Sequence, residues 1–594
     1  MNPFRRMLPW LRPYRRGMAL GLSLVALANV ASLLMPWLIG RAIDALARPG
    51  MTVGVIVTQA LWIVGSTAGS GVARFGMRQL LNGISRRVEN DLRESLFAHL
   101  LRLDAGFYAG MPTGELMSRL TNDTQAVRMA IGPGIMYLAN TVVVGVLALA
   151  VMMRYDVRLT LLSLIPLVFL VPVMTWFGRV IHERFQRIQQ HYGVISTMVQ
   201  ENLSGVRIVR AYTQERAQQE EFDALNREYL AKNMALARTS ALFDPVLTVL
   251  TGLGVLVVLW VGGTTVMAGG MTRGDFVAFF LYLGLLTWPI IAIGWVINMF
   301  QRGAASMRRL TDIFDAEPRV RSPEVPVMPV ESRGAIEFRD VWFRYAGTER
   351  DVLRGLNFRV EAGQTIAIVG PTGAGKSTVA ALLTRRYDPT RGQVLLDGVP
   401  LDRLSLAQLR TAIALVPQDA FVFSATIAEN IALGLPPAAA RDGRVEQAAR
   451  IARLDETIAA FPQGYETRLG ERGVNLSGGQ RQRTTLARAL ARDARVLILD
   501  DALSAVDTQT ETEILRGLGS VFAQRTAVVV SHRVSAVMNA DLILVLDDGR
   551  IVERGRHAEL IAAGGLYATL LRRQLLSEGL EADAVAGPAN QALP

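Results

Sequence analysis

The first half of the chain alternates long uncharged apolar runs with arginine-rich stretches, whereas the second half alternates short apolar runs with polar turns. Six runs in the first half, at 18–40, 53–73, 129–153, 159–178, 245–272 and 276–301, are long enough to cross a bilayer as helices, which takes about 20 residues. The breaks after runs one, three and five are short. Those after runs two and four are long, keep a helical period and carry arginines such as Arg86, Arg87 and Arg93 in one and Arg184, Arg187 and Arg210 in the other. The excess of positive charge predicts that both termini and both long connections lie on the cytoplasmic side, and the period predicts helices that continue beyond the membrane. Ahead of the first run, Arg5, Arg6, Arg12, Arg15 and Arg16 are interleaved with Phe4, Leu8, Trp10 and Tyr14, a pattern that suits a short interfacial helix. The run at 18–40 is too long for the roughly 7–15-residue core of a secretory signal and reads as a retained span.

Pro36, Pro166, Pro172 and Pro289 interrupt the spans, and no full charge is expected deep within one. The polar exceptions are Asn29, Gln59, Asn140 and Asn298, with Trp62, Trp260, Trp288 and Trp295 nearby. Their first reading is hydrogen bonding between helices and anchoring at the interface; the alternative is the wall of a cavity for an amphiphilic molecule. Lacking ionisable groups, the spans offer no proton relay. Pro318, Pro323, Pro326 and Pro329 mark a linker, so the expected domains are a membrane domain at 1–316, a linker at 317–333 and an α/β domain at 334–576. The tail at 577–594 lacks periodicity and is expected to be disordered.

In the second half the stretch at 370–378, Gly-Pro-Thr-Gly-Ala-Gly-Lys-Ser-Thr, follows the strand-like run at 365–369 and precedes a helical run at 379–383. Strand, glycine loop and helix are the context a phosphate-binding loop needs. Glycines let the backbone approach phosphates, and the amides at the helix start face the negative charge. Lys376 is expected to reach the β- and γ-phosphates of ATP and Ser377 to bind Mg²⁺, with Gly370, Thr372, Gly373, Gly375 and Thr378 completing the cradle. Of the 63 Lys and Arg residues only Lys232 and Lys376 are lysine, so the chain keeps a compact point charge where a phosphate would sit.

Composition narrows the reading. Hydrophobic residues make up 51% of 594, which points to a membrane protein of several domains. The absence of cysteine excludes disulfides and thiol chemistry, and the five histidines show no zinc spacing. The net charge of +11 could suggest nucleic acid, but the order of spans and basic connections assigns it to the cytoplasmic side of a membrane, so no nucleic-acid partner is expected.

Three further motifs follow the phosphate loop: Leu-Ser-Gly-Gly-Gln at 476–480, Val-Leu-Ile-Leu-Asp at 496–500, and Ser531-His532 after an apolar run. With these the chain resembles a half-transporter of the ATP-binding cassette exporter family, six spans fused to one nucleotide domain, over nearly its whole length. The resemblance implies an all-α six-helix membrane domain and an α/β phosphate-loop domain. It implies that Tyr345 stacks on adenine, that Gln418 touches Mg²⁺ and the attacking water, that Asp500 holds Mg²⁺, and that His532 contacts the γ-phosphate. It implies that Ser477, Gly479 and Gln480 meet the nucleotide held by a second half-transporter, and that the loop at 504–507 crosses to that subunit. Residues 112–119 and 201–207 resemble the elements that couple the two domains, and 470–473 their receiver. One position departs from the family pattern: the residue after Asp500, normally the glutamate base, is Asp501. Its shorter reach predicts a slow site and a heterodimeric partner carrying glutamate, with a homodimer as the alternative. The function implied is ATP-driven export of hydrophobic or amphiphilic molecules across the inner membrane. Lipid flipping, siderophore import and an ATP-gated regulator are the alternatives.

Overall fold

A computed structural model describes residues 3–48, 52–327, 332–435 and 442–586. The chain divides into two units, Met1–Leu101 with Thr113–Ala316, and Arg102–Pro112 with Glu317–Pro594.

In the first unit six helical segments are long and apolar enough to cross a membrane: Phe4–Leu46, Val53–Leu100, Thr113–Tyr155, Val157–Ser204, Glu215–Met267 and Arg273–Phe314. Five of them contain one of the apolar runs whole, the fifth run overshoots its segment by five residues, and most segments extend well beyond the run at the other end. The short helix Pro3–Leu11 and a single turn at Arg12–Tyr14 precede the long helix Arg15–Leu46. Pro36 and Pro289 are absorbed within continuous helices. Near Pro172 the helix Val157–Val168 stops and Leu170–Ser204 begins, because proline has no N–H to donate and its ring crowds the carbonyl four residues back. The first and last spans are tied by Asp44, which accepts from Thr272 Oγ1 and from the Gly274 amide, each at 2.7 Å, and by Tyr282, whose hydroxyl donates to the Leu33 carbonyl at 2.7 Å. Buried Asp123 accepts from Ser306 Oγ at 2.9 Å and Arg309 Nε at 2.8 Å, joining the third segment to the sixth. Arg74, the residue after the second apolar run, is exposed and reaches across to the first span. Its guanidinium donates to Ser32 Oγ, which lies inside the first apolar run rather than at its end.

The second unit holds two sheets. One is antiparallel, in the order β2-β1-β4-β5, built from β1 (Ile336–Phe343), β2 (Leu353–Val360), β4 (Arg391–Leu396) and β5 (Val399–Pro400). The other runs β10-β9-β3-β8-β7-β6, from β3 (Thr365–Val369), β6 (Ile413–Val416), β7 (Val496–Asp500), β8 (Thr526–Val530), β9 (Leu542–Asp547) and β10 (Arg550–Gly555), and is parallel except at β10. The parallel strands are covered on both faces, which is why they read as unbroken apolar runs. Alternate residues enter different cores. Ala367, Val369, Leu497 and Leu499 pack with Leu486, Ala487 and Leu490 of helix Gly478–Ala491. Ile366, Ile368, Val496 and Ile498 pack with Val379, Leu382 and Leu383 of helix Lys376–Leu383 and with Phe338 and Leu353 of the antiparallel sheet.

Two sequence-based expectations are corrected here. The coupling stretch read at 112–119 is displaced: its short helix Thr113–Ser118 belongs to the first unit, and the segment assigned to the second is Arg102–Pro112. That segment carries the helix Ala105–Gly110, capped by Asp104, which accepts from Gly106 N at 2.9 Å and Phe107 N at 3.2 Å and also from Val320 N at 3.2 Å. Reading for glycine and glutamate passed over this Asp-capped aromatic turn. The tail is the second correction. Helix Leu566–Ala586 includes residues 577–586, and the rest of the tail, 587–594, lies outside the described residues. The stretch read at 201–207 ends helix Leu170–Ser204 and starts helix Val206–Ala211, and 470–473 holds a single turn, Glu471–Gly473.

Candidate nucleotide site

Strand order decides what meets at the site. β3, β8, β7 and β6 are neighbours in that order and parallel, so the loops that leave their carboxyl ends lie side by side. Those loops carry the phosphate motif after β3, Ser531 and His532 after β8, Asp501 after β7 and Gln418 after β6. This edge is where open α/β sheets bind ligands.

The phosphate loop turns sharply at Gly370, whose φ of 152° and approach to the Leu546 carbonyl leave no room for a Cβ. Helix Lys376–Leu383 then begins directly after Gly375. Lys376 Nζ donates to the carbonyls of Gly370 at 2.8 Å and Pro371 at 2.9 Å, so the ammonium lies folded across its own loop. Burial pushes the Lys376 ammonium pKa below its ordinary value, against the pull of Asp501 and Asp500. Ser377 Oγ donates to Asp500 Oδ1 at 2.9 Å. Burial raises the Asp500 carboxyl pKa, and the Ser377 hydrogen bond opposes that rise. Two hard oxygen donors from separate elements thus converge, a set that fits Mg²⁺.

Asp501 sits in left-handed backbone with a φ of 49°, a conformation uncommon outside glycine and tolerated by aspartate. Its two carboxylate oxygens lie 2.8 and 2.9 Å from His532 Nδ1. The carboxylate orients the imidazole, as carboxylates do in catalytic dyads. Tyr345 stands beside the loop. Its hydroxyl is 3.0 Å from Thr378 Oγ1, and its ring meets Phe343 and Tyr387 edge-on at 4.8 and 5.3 Å. Gln418, Thr372 and Gly373 are exposed.

The motif at 476–480 is built differently. Ser477 caps helix Gly478–Ala491: Gln480 N donates to Ser477 Oγ at 3.2 Å, and Ser477 N to Gln480 Oε1 at 2.9 Å. Ser477 is exposed, and among the described residues no hydrogen bond links this motif to the phosphate loop. Gly479 lies against the Ala505 carbonyl, which a Cβ would approach to 2.9 Å. Sequence reasoning missed Gln482. This buried amide donates to Ser504 Oγ at 2.9 Å and accepts from Ala505 N at 2.8 Å, fastening the helix to the loop that follows Asp501. Its signal was weak: a polar residue one helical turn beyond Gly479, on the face that is otherwise apolar. Also unforeseen is the pair of Arg533 with buried Glu511; Arg533 Nη2 also donates to the Ser504 carbonyl at 3.2 Å.

Comparison with known proteins identifies the family. Residues 18–290 match the family described as the ABC transporter transmembrane region, and residues 353–504 match the ABC transporter family. The chain is 38% identical to the "Probable multidrug resistance ABC transporter ATP-binding/permease protein YheI" of Bacillus subtilis (strain 168), over 96% of each chain. It is 36% identical to the "ATP-dependent lipid A-core flippase" of Aromatoleum aromaticum, again over 96% of each. Among solved structures it resembles a bacterial Atm1-family ABC exporter with ATP bound, with a TM-score of 0.74 and 30% identity, covering 94% of this chain and 98% of that one. Six membrane-crossing helices joined to one cassette, in a family of ATPase-coupled transporters that work as dimers, place this multi-pass chain in the ABC transporter family as a half-transporter with the exporter fold.

Proposed function

We propose that the chain is one subunit of an ATP-driven exporter that moves hydrophobic or amphiphilic molecules, such as drugs, lipids or peptides, across the cytoplasmic (inner) membrane. The observation that carries this reading is the convergence of Lys376, Ser377, Asp500, Asp501 and His532 on one sheet edge of a chain with six membrane-crossing helices. The names of the multidrug and flippase relatives support the substrate class. The arginines of the two long connections favour a cytoplasmic cassette and cytoplasmic termini.

Tyr345 would hold the adenine. Gly370, Thr372, Gly373, Gly375, Lys376 and Thr378 would hold the phosphates, with Lys376 leaving its loop carbonyls for them. Ser377, Gln418 and Asp500 would hold Mg²⁺, which when bound neutralises charge developing on the phosphates. Asp501 and His532 would position the attacking water and the γ-phosphate. Ser477, whose hydroxyl is exposed, would with Gly479 and Gln480 complete the nucleotide site of a second half-transporter.

Because aspartate is one methylene shorter than glutamate, Asp501 would reach its water poorly, and a misplacement of about 1 Å can cost on the order of 10²-fold in rate. A heterodimer follows, whose partner carries the glutamate. One observation favours a second reading, a homodimer with Asp501 as working base: its carboxylate is already held against His532.

Transport of amphiphiles into sealed vesicles, driven by ATP and lost in Lys376→Ala, is the deciding experiment. ATP hydrolysis that responds to amphiphiles without any vectorial movement would make the chain a regulator instead. The chain has no cysteine, so single cysteines report topology. Ala47→Cys or Gly270→Cys should react with an impermeant thiol reagent from outside, and Gln214→Cys should not.

A further inference from the structure

Two loops and a helix of the cassette unit meet behind Asp501. A cavity of about 20 Å³ lies there, and the polar side chains in its wall are Asp501, Ser504, Glu511, Ser531 and Arg533. β7 and β8 are parallel neighbours, so the residues leaving their carboxyl ends come together, and Glu511 joins them from helix Thr508–Phe522. Arg533 spans the junction. Its Nη1 donates to Glu511 Oε2 at 2.5 Å and its Nη2 to the Ser504 carbonyl at 3.2 Å. The planar fork of a guanidinium suits two acceptors at once, whereas a lysine ammonium is a single point.

The backbone around His532 is itself held. Ser531 N donates to the Ile368 carbonyl at 3.2 Å, and Val534 N to Gln574 Oε1 of helix Leu566–Ala586 at 2.6 Å. Arg533 thus reaches from a fixed loop to the loop at 504–507. Ser504 is gripped twice there. Its carbonyl accepts from Arg533 and its hydroxyl from Gln482, one turn into helix Gly478–Ala491. A bonded line therefore runs from the residue after His532, through Ser504, to the helix that Ser477 caps.

Stability does not account for the Arg533–Glu511 pair. Glu511 is 3% exposed, and its Oε1 has no hydrogen-bond partner among the described residues. Burying a charged pair costs about as much as its attraction returns, and an oxygen left unmade adds to the cost.

We infer that Arg533, held by Glu511, is a positioning residue that fixes the 504–507 loop, and with it the motif at 476–480, in the orientation this chain presents to a second half-transporter. Although it follows His532 of this chain's own site, it acts on the site that the other subunit holds. The inference rests on the reading that Ser477, Gly479 and Gln480 complete that second site.

The test uses full chains assembled in nanodiscs. This chain carries Asp501→Asn and is paired with an unaltered second half-transporter, whether a different subunit or another copy, so that the turnover measured is the second subunit's. The readouts are the ATPase rate at saturating ATP, nucleotide affinity at this chain's own phosphate loop, and unfolding temperature. Adding Arg533→Gln to the Asp501→Asn chain should lower the rate by about tenfold, roughly the worth of one hydrogen bond from a charged group, with own-loop affinity changed by less than about twofold. Arg533→Lys should recover part of the rate, because it keeps the charge and loses the fork. Glu511→Gln should cost less than Arg533→Gln, and the two together no more than Arg533→Gln alone, because they act as one unit. If Arg533→Gln fails to fold, Arg533→Lys and Glu511→Gln carry the same test. An unchanged rate overturns the inference. A rate that falls only together with own-loop affinity or unfolding temperature overturns it too, in favour of a structural role. Ser477→Arg separates the inference from the reading beneath it. If Ser477→Arg cuts the rate and Arg533→Gln does not, the inference alone fails. If Ser477→Arg leaves the rate intact, the reading of the second site fails and the inference falls with it.

Discussion

Two helices of the cassette unit start at glycine-rich motifs suited to phosphate, and they satisfy their side chains in opposite directions. At helix Lys376–Leu383 the polar groups turn inward: Lys376 bonds its own loop carbonyls and Ser377 bonds Asp500 on the neighbouring strand system. At helix Gly478–Ala491 they close on themselves, Ser477 and Gln480 forming a reciprocal cap with an exposed hydroxyl. The first site is assembled within one chain. The second offers helix N–H groups and a hydroxyl with no target of its own, as expected of half a site completed by another subunit. Gln482 adds that the outward motif is rigidly held, since it locks the helix to the Ser504 and Ala505 backbone region.

The contrast can be broken most forcefully at the inward site. Lys376→Ala should weaken ATP binding to this chain by on the order of 10²-fold, the loss of about 3 kcal/mol of charge-assisted bonding, as measured by nucleotide titration. Unchanged affinity would remove the phosphate loop from the reading. Ser477→Arg should cut the ATPase rate of the assembled dimer by at least about tenfold, because it blocks an oxyanion contact worth roughly that much or more. Nucleotide affinity at this chain's own loop should stay the same, and a fall in both together would show that the two motifs serve one site.

Asp501→Asn sharpens the comparison by asking which site turns over. In a heterodimer it should change the rate by less than about twofold, whereas a working base would lose on the order of 10²-fold or more. Gln482→Ala should have the smallest effect. It leaves the Ala505 amide without its partner, at a cost of about 1–3 kcal/mol seen as a lower unfolding temperature, with ATP affinity retained.

Much of this was readable from contiguous residues. The phosphate loop was legible because strand, turn and helix follow one another within a few residues, and 365–369 and 496–500 are the strands observed. The departure at Asp501 was visible as a single letter. Its pairing with His532 was not, because it depends on β7 and β8 being neighbours. Gln482 escaped notice because its partners lie beyond a turn and a strand. The segment Arg102–Pro112 was misplaced because an Asp cap on a six-residue aromatic helix is a faint pattern beside a Thr-Gly-Glu run.

Local chemistry, then, is what the amino-acid order settles here: which runs are apolar for long enough to cross a bilayer, which strands are buried on both faces, and which glycine loop can cradle phosphate. These follow from periodicity and sterics that act over a few residues. Tertiary structure alone decided which carboxylate meets Ser377, which imidazole meets Asp501, and that Arg74 lies against Ser32 inside the membrane unit. Each of these joins residues about 30 or more positions apart. Their meeting is set by strand order and helix packing, which the pattern of apolar and polar positions constrains only as a whole.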